Sequence, residues 1–76
     1  NDGVMTLAKY NQIEMGMSYE EVCNIVGSNG SILSESDIAG YHTFMVMWYG
    51  KGMTGANANI IIQNDKVMTK SQIGLS

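Results

Sequence analysis

Apolar residues recur along this chain with two different periods, one helical and one strand-like. Over residues 19–26, Tyr19, Val22, Cys23, Ile25 and Val26 make a helical stripe that must be buried against something outside the helix. Both ends of that helix are specified locally. Ser18 and Glu21 have the S-x-x-E spacing of a capping box, which satisfies two backbone N–H groups that an opening helix leaves unpaired. Met17 and Val22 stand where a hydrophobic staple would, Glu20 and Glu21 place negative charge where the helix dipole favours it, and Gly27 supplies a left-handed stop. An earlier helix over residues 6–14 is predicted from Leu7, Tyr10 and Ile13 on one side, with Thr6 as its cap and Gly16 as its end. The connection around Gly16 is too short for anything but a helical hairpin.

From Ser28 onward the period changes. Residues 30–38 read as a weak strand around Ile32 and Leu33, and Asp37-Ile38-Ala39-Gly40 as a turn. Residues 42–49 give the strongest strand signal, with both faces apolar: Phe44, Val46 and Trp48 point one way, and Met45, Met47 and Tyr49 the other. The pattern leaves open which row faces out. Residues 50–56 read as a flexible loop, 57–63 as a strand, Asn64-Asp65 as a tight turn and 66–75 as the last strand of a β-hairpin. The predicted fold is therefore α+β, a helical hairpin on one face of a four-stranded antiparallel sheet in the order α-α-β-β-β-β, formed by residues 1–76 as a single domain.

With Asn64 and Asp65 as the loop, Ile62 should pair with Val67 and Ile60 with Thr69, and that face, together with Ala58 and Ile73, should meet the helices. The other face should pair Ile61 with Met68 among Asn59, Gln63, Lys70 and Gln72. A two-helix layer covers one side of a sheet, so an apolar group rimmed by polar ones is expected in water, which is how a protein-binding surface is built. The residues expected to carry it are Trp48 and Tyr49 where the strand enters the loop, Met53 and Thr54 at the loop tip, and Ile61 and Met68 on the outer hairpin face.

Composition sharpens this picture. Seven acidic against four basic side chains give a net charge of −3, which repels a phosphate backbone and argues against nucleic acid as a partner. A hydrophobic content of 45% with 14% charged residues is thinly charged for so small a chain, again pointing to exposed apolar surface. The longest apolar run, residues 44–49, falls far short of the ~20 residues needed to cross a bilayer, so the domain is expected to be soluble. The chain begins at Asn1 rather than Met, so an upstream segment is expected to have been removed or to lie outside these residues.

No catalytic constellation, metal site or cofactor motif emerges, and the chain is read as a non-enzyme. Gly50-Lys51-Gly52-Met53-Thr54-Gly55 has the letters of G-x-G-x-x-G, but a strand rather than a helix follows, so a loop between strands is the better reading than a nucleotide site. Asn29-Gly30-Ser31 fits a glycosylation sequon and reads more simply as a turn. His42 is the single histidine, with no second ligand at a metal-binding spacing, and Glu35 and Asp37 read as a solvated strand edge. Cys23 lies on the apolar stripe with no partner for a disulfide and is read as a buried small hydrophobe. The seven methionines serve either adaptable packing or an adaptable binding surface.

Gly3-Val4-Met5-Thr6, Ala8-Lys9-Tyr10, Gln12-Ile13, Gly16-Met17-Ser18, Glu21-Val22, Ile25 and Gly27 resemble the helical half of a repeat in the secreted β-lactamase inhibitory protein family. Lys66-Val67-Met68-Thr69-Lys70-Ser71-Gln72 is similar to that repeat's last strand. The chain also resembles small domains of the same fold, without an assigned function, often found on lipoproteins of Gram-positive bacteria. The resemblance implies a helical hairpin on a four-stranded antiparallel sheet, a protein partner, an extracellular or cell-surface location and an upstream lipid anchor. In that family two repeats grip the enzyme with a concave sheet and insert a loop bearing an acidic and an aromatic residue. The matching residues 50–56 offer Lys51, Met53 and Thr54 instead, and Cys23 lacks the family's disulfide partner. The expectation is a non-enzymatic protein-interaction domain. The competing readings are a structural homodimer, which would rebuild a two-repeat surface, and a weak inhibitor of β-lactamases or penicillin-binding proteins; a small-ligand pocket under the loop is a third.

Overall fold

In the computed structural model, which describes residues 2–76, two helices precede four strands. The helices are α1 (Leu7–Gln12) and α2 (Tyr19–Val26); the strands are β1 (Ser31–Ile38), β2 (Tyr41–Tyr49), β3 (Gly52–Gln63) and β4 (Lys66–Leu75). The strands pair antiparallel in chain order, and the helices cover one face of the sheet, as the patterning predicts.

Local chemistry explains the helix ends. Ser18 Oγ accepts the Glu21 N–H at 3.1 Å while the Glu21 carboxylate accepts the Ser18 N–H at 3.1 Å, completing the capping box. Asp65, from the β3–β4 turn, accepts the Tyr19 N–H at 3.1 Å and so satisfies a third orphan donor from across the fold. Gly27 closes α2 with φ of 96°. Thr6 caps α1 by accepting the Lys9 N–H at 3.2 Å.

That first helix stops at Gln12 rather than at residue 14. Ile13 turns extended, with ψ of 124°, because this points its side chain into the core, where it is fully buried. The following turn then docks on β4: the Gly16 N–H donates to Val67 O at 2.9 Å and the Val67 N–H to Met17 O at 2.8 Å. Two lysines finish the helix C-termini. Lys9 Nζ donates to Val26 O at 2.8 Å, and Lys70 Nζ donates to Tyr10 O at 2.8 Å while lying 4.3 Å from the centre of the Tyr10 ring.

The core joins Met5, Ile13, Val22 and Val26 to Val46, Trp48, Ala58, Ile60, Ile62 and Val67. In β2 the row Phe44, Val46, Trp48 faces the helices, and Met45, Met47 and Tyr49 face away. Trp48 is only 4% exposed, and its Nε1–H donates to Ser28 O at 3.2 Å. Trp48, expected on the surface where a partner would meet the chain, is therefore buried on the helix side instead. The Tyr19 ring stands edge-on to Phe44 at 5.3 Å and 6.2 Å from Trp48, so an aromatic cluster clamps α2 onto this row. Gly30 lets the α2–β1 connection descend onto it, since a β-carbon there would collide with Val46 and Trp48.

Both tight turns place two consecutive residues at positive φ, Ala39 and Gly40 at 52° and 84°, and Asn64 and Asp65 at 48° and 63°. Such turns match the right-handed twist of the strands they join. Ile62 pairs with Val67 as expected, but Ile61 then pairs with Thr69 and Ile60 with Lys70, because Met68 is the extra residue of a β-bulge. The predicted pairs Ile61–Met68 and Ile60–Thr69 do not form. This slip of one residue exchanges the faces of the rest of β4. Lys70 and Gln72 stand opposite Ile60 and Ala58 on the helix side, whereas Ile73 stands opposite Asn57 on the open side and is 63% exposed. A further correction concerns β3, which begins at Gly52 rather than at residue 57. Gly52 pairs with Leu75, the Lys51 N–H donates to Met5 O and the Ser76 N–H to Lys51 O, each at 2.9 Å, tying this segment to both ends of the chain.

Candidate functional site

Residues directly opposite in an antiparallel sheet share a face, so the register gives the open surface row by row. Tyr49 aligns with Asn57 and Ile73, and Met47 with Ser31, Asn59 and Ser71. Met45 aligns with Ser34, Ile61 and Thr69, and Thr43 with Ser36, Gln63 and Lys66. The centre of this face holds methionine and isoleucine among serine, threonine, asparagine and glutamine, tyrosine stands at one end, and charge enters only at the Lys66 rim. Four of its polar side chains are held in place: Asn59 Nδ2 donates to Asn57 Oδ1 at 3.0 Å, and Gln63 Nε2 to Thr43 Oγ1 at 3.1 Å. They present fixed donors and acceptors instead of competing to be buried.

Of the sequence-predicted residues, Ile61 sits half-buried at the middle of the face and Tyr49, 70% exposed, at one end. Met53 and Thr54 are exposed in the 50–56 segment beyond that end, beside Ile73 and Gly74. Met68 is exposed in the bulge on the outermost strand, one step from the Ile61 row rather than in it. Trp48 is buried on the other side of the sheet. Met45 and Met47 belong to the face, a placement that the alternation of β2 narrows to one of two rows. Ile73 also belongs, and no local pattern signals it, because the bulge at Met68 decides its side.

A shallow cavity of about 140 Å³ opens between β1 and β2, lined by Ser34, Glu35, Ser36, Thr43, Phe44, Met45 and Ile61. Its volume is close to the ~150 Å³ that accommodates a benzene-sized apolar group. A second, polar hollow of about 260 Å³ lies at the end of α2, lined by Cys23, Asn24, Gly27, Ser28 and Asn29. Neither is lined by residues 50–56, the position expected for a small-ligand pocket.

On the helix side of β1, the His42 ring lies between two carboxylates, Nε2 at 3.1 Å from Glu35 and Nδ1 at 3.0 Å from Asp37. Sequence spacing hid this grouping, because the cross-strand register pairs Asp37 with His42. The carboxylates approach opposite nitrogens and so cannot converge on one ion. Among the described residues no group of three His, Cys, Asp or Glu side chains is arranged to hold a metal ion. Burial pushes the Cys23 thiol and the Tyr19 phenol above their usual ranges, so neither ionises readily. Among the described residues no helix is long and apolar enough to cross a membrane.

What this arrangement can do chemically is bind: it offers a broad, nearly uncharged sheet face with fixed amide groups, a small socket and a methionine-bearing segment at one end. No curated protein matches the chain. A family profile described as Beta-lactamase inhibitor (BLIP) matches residues 6–76, from the cap of α1 to the end of the chain. With helices, sheet and nearly every residue inside that match, the chain belongs to the β-lactamase inhibitor (BLIP) family.

Proposed function

We propose that residues 1–76 act as one non-enzymatic protein-binding domain that presents the open sheet face to a folded partner. The observation that carries this reading is the composition of that face. Charged residues are depleted, as they are in the buried part of protein interfaces, while methionine, isoleucine and fixed amides occupy the centre and tyrosine one end. Four strands about 4.8 Å apart and about seven residues long make a face of about 450 Å² in projection. Together with residues 50–56 and the side-chain relief, it approaches the ~800 Å² per partner of a standard interface. Tyr49, Ile61 and Ile73 supply apolar contact, Met45, Met47, Met53 and Met68 supply adaptable contact, and the socket beside Met45 and Ile61 takes one apolar side chain of the partner.

Membership of the family supports a penicillin-recognising enzyme as the partner class, either a class A β-lactamase or a penicillin-binding transpeptidase domain, met outside the cell. Residues 50–56 contain no acidic or aromatic side chain, so the domain binds chiefly through the sheet and blocks the active site weakly. Titration against both enzymes, following binding by calorimetry and turnover with a chromogenic β-lactam, tests this. The expected result is saturable binding that Ile61→Asp abolishes, with turnover reduced little. Lack of binding at high micromolar concentration to either enzyme would refute the partner class, and undiminished binding by Ile61→Asp would refute the face. Sedimentation alongside is expected to show a monomer, since self-association through this face would hide it.

A further inference from the structure

The arc formed by residues 50–56, which leads from β2 into the start of β3, is held by a thioether. Met53 is 63% exposed, yet its Cγ and Sδ fill the space that a β-carbon at Gly74 would occupy. Gly74 has φ of +70°, a conformation that favours glycine, so the bare backbone near the end of β4 forms a seat for the sulfur. The backbone leading to that seat relies on glycines too. Gly52 and Gly55 have φ of 145° and 80°, and the Gly50 N–H donates to Ala56 O at 2.9 Å to close the base of the arc. The Met53–Gly74 contact is thus a side-chain tie across the top of the arc, between β3 and β4.

We propose that Met53 is a methionine-oxidation site at which a peroxide-class oxidant releases residues 52–55 from β4. The thioether sulfur attacks one oxygen of the peroxide and the O–O bond breaks. A sulfur–oxygen bond forms, and the second oxygen leaves as water with both hydrogens. Sulfur loses two electrons and the peroxide gains them. The sulfoxide is polar and pyramidal where the thioether was apolar and slim. Its oxygen adds bulk and polarity to a sulfur that already lies against the Gly74 backbone and is better solvated in water, so the seat empties.

Access and structural consequence coincide at this residue. Met5 is fully buried, Met17, Met45 and Met47 are partly buried, and Met15 and Met68 are exposed but lie outside the arc. The segment borders the face assigned above, but the inference does not depend on that assignment, because its test reads the segment directly without a partner.

The experiment treats the whole chain with hydrogen peroxide, maps oxygen incorporation by peptide mass spectrometry and follows amide hydrogen exchange before and after. Met53, Met15 and Met68 should gain oxygen at least about tenfold faster than Met5, as their exposure dictates. Oxidation should strip protection from amides 52–56 and 74–76 while leaving those of Val46 and Ile60 unchanged. In Met53→Leu, whose side chain fills the same seat, peroxide should leave the segment's exchange as it was, although Met15 and Met68 are still oxidised. Three results would each overturn the inference: Met53 reacting no faster than Met5, unchanged exchange over 52–56 once Met53 is oxidised, or an equal loss of protection on peroxide treatment of Met53→Leu.

Discussion

Ile60 and Ile61 are neighbours in β3 on opposite faces of the sheet, so truncating each to alanine separates the covered face from the open one. Ile60 is fully buried beneath the helices, between Val46 and Lys70 in the register. Ile60→Ala removes about three carbon groups at about 0.8 kcal/mol each, and the cavity left behind brings the cost to about 2–5 kcal/mol. A domain of this size holds only about 3–5 kcal/mol in total, so this variant should lose about half of its stability or more. Ile61 lies between Met45 and Thr69 on the open face. Its truncation forfeits cross-strand contacts of about 0.2–1 kcal/mol and leaves no enclosed void. At about 4–8 °C per kcal/mol, the midpoint of Ile61→Ala should fall by less than about 8 °C. Urea unfolding followed by tryptophan emission is a suitable assay, because Trp48 is the single tryptophan and is buried against α2. Equal destabilisation by the two variants would mean that both faces are covered, and would refute the one-sided architecture on which the functional reading rests.

Three further expectations follow from particular contacts. Gly30→Ala should cost about 1–3 kcal/mol by urea unfolding, since its β-carbon would lie 2.9 Å from both Met47 O and Trp48 Cδ2; an unchanged midpoint would show that the α2–β1 connection can shift. Cys23, whose thiol is pushed up first by burial, should be alkylated by iodoacetamide at pH 8 far more slowly in the folded chain than in urea, and equal rates would contradict its placement against the sheet. The Asp2 carboxyl should titrate at about 2 rather than 3.8 by NMR, chiefly through its 2.7 Å hydrogen bond from Lys9 Nζ and next through the Val4 N–H, and Lys9→Met should raise it toward the ordinary value. The sign is that of a depressed carboxyl: its favourable effect on folding is present above the ordinary value and is lost as pH falls through about 2. Because the group is fully exposed, its contribution to stability is small.

The features legible in the chain were those written within a few residues. Ser18 with Glu21, Gly27, Thr6 and Asn64-Asp65 act through hydrogen bonds and dihedral angles that close locally, and each appears where its spacing places it. Features fixed by distant partners were not legible. The bulge at Met68 has no local signature, yet one inserted residue carried Ile73 to the open face and Lys70 and Gln72 to the helix side. Gly52 joins β3 because Leu75, Met5 and Ser76 tie that segment down, none of them near it in sequence. The outward row of β2 was undecidable because both rows are apolar. It is settled by the descent at Gly30 and the Tyr19 ring, which take Trp48 and Phe44 to the inside. The grouping of His42 with Glu35 and Asp37 likewise came from register rather than spacing.

The central claim is that the open sheet face, and not the helical layer, meets the partner. The most direct test is an amide-shift map of the isotopically labelled domain titrated with a class A β-lactamase and, separately, with a penicillin-binding transpeptidase domain. Saturable changes should concentrate at Met45, Met47, Tyr49, Asn59, Ile61, Ser71 and Ile73 and extend into residues 50–56, while Glu20, Glu21 and Asn24 on the outside of α2 stay unmoved. Changes centred on α1 and α2, or no saturable change with either enzyme, would contradict the account.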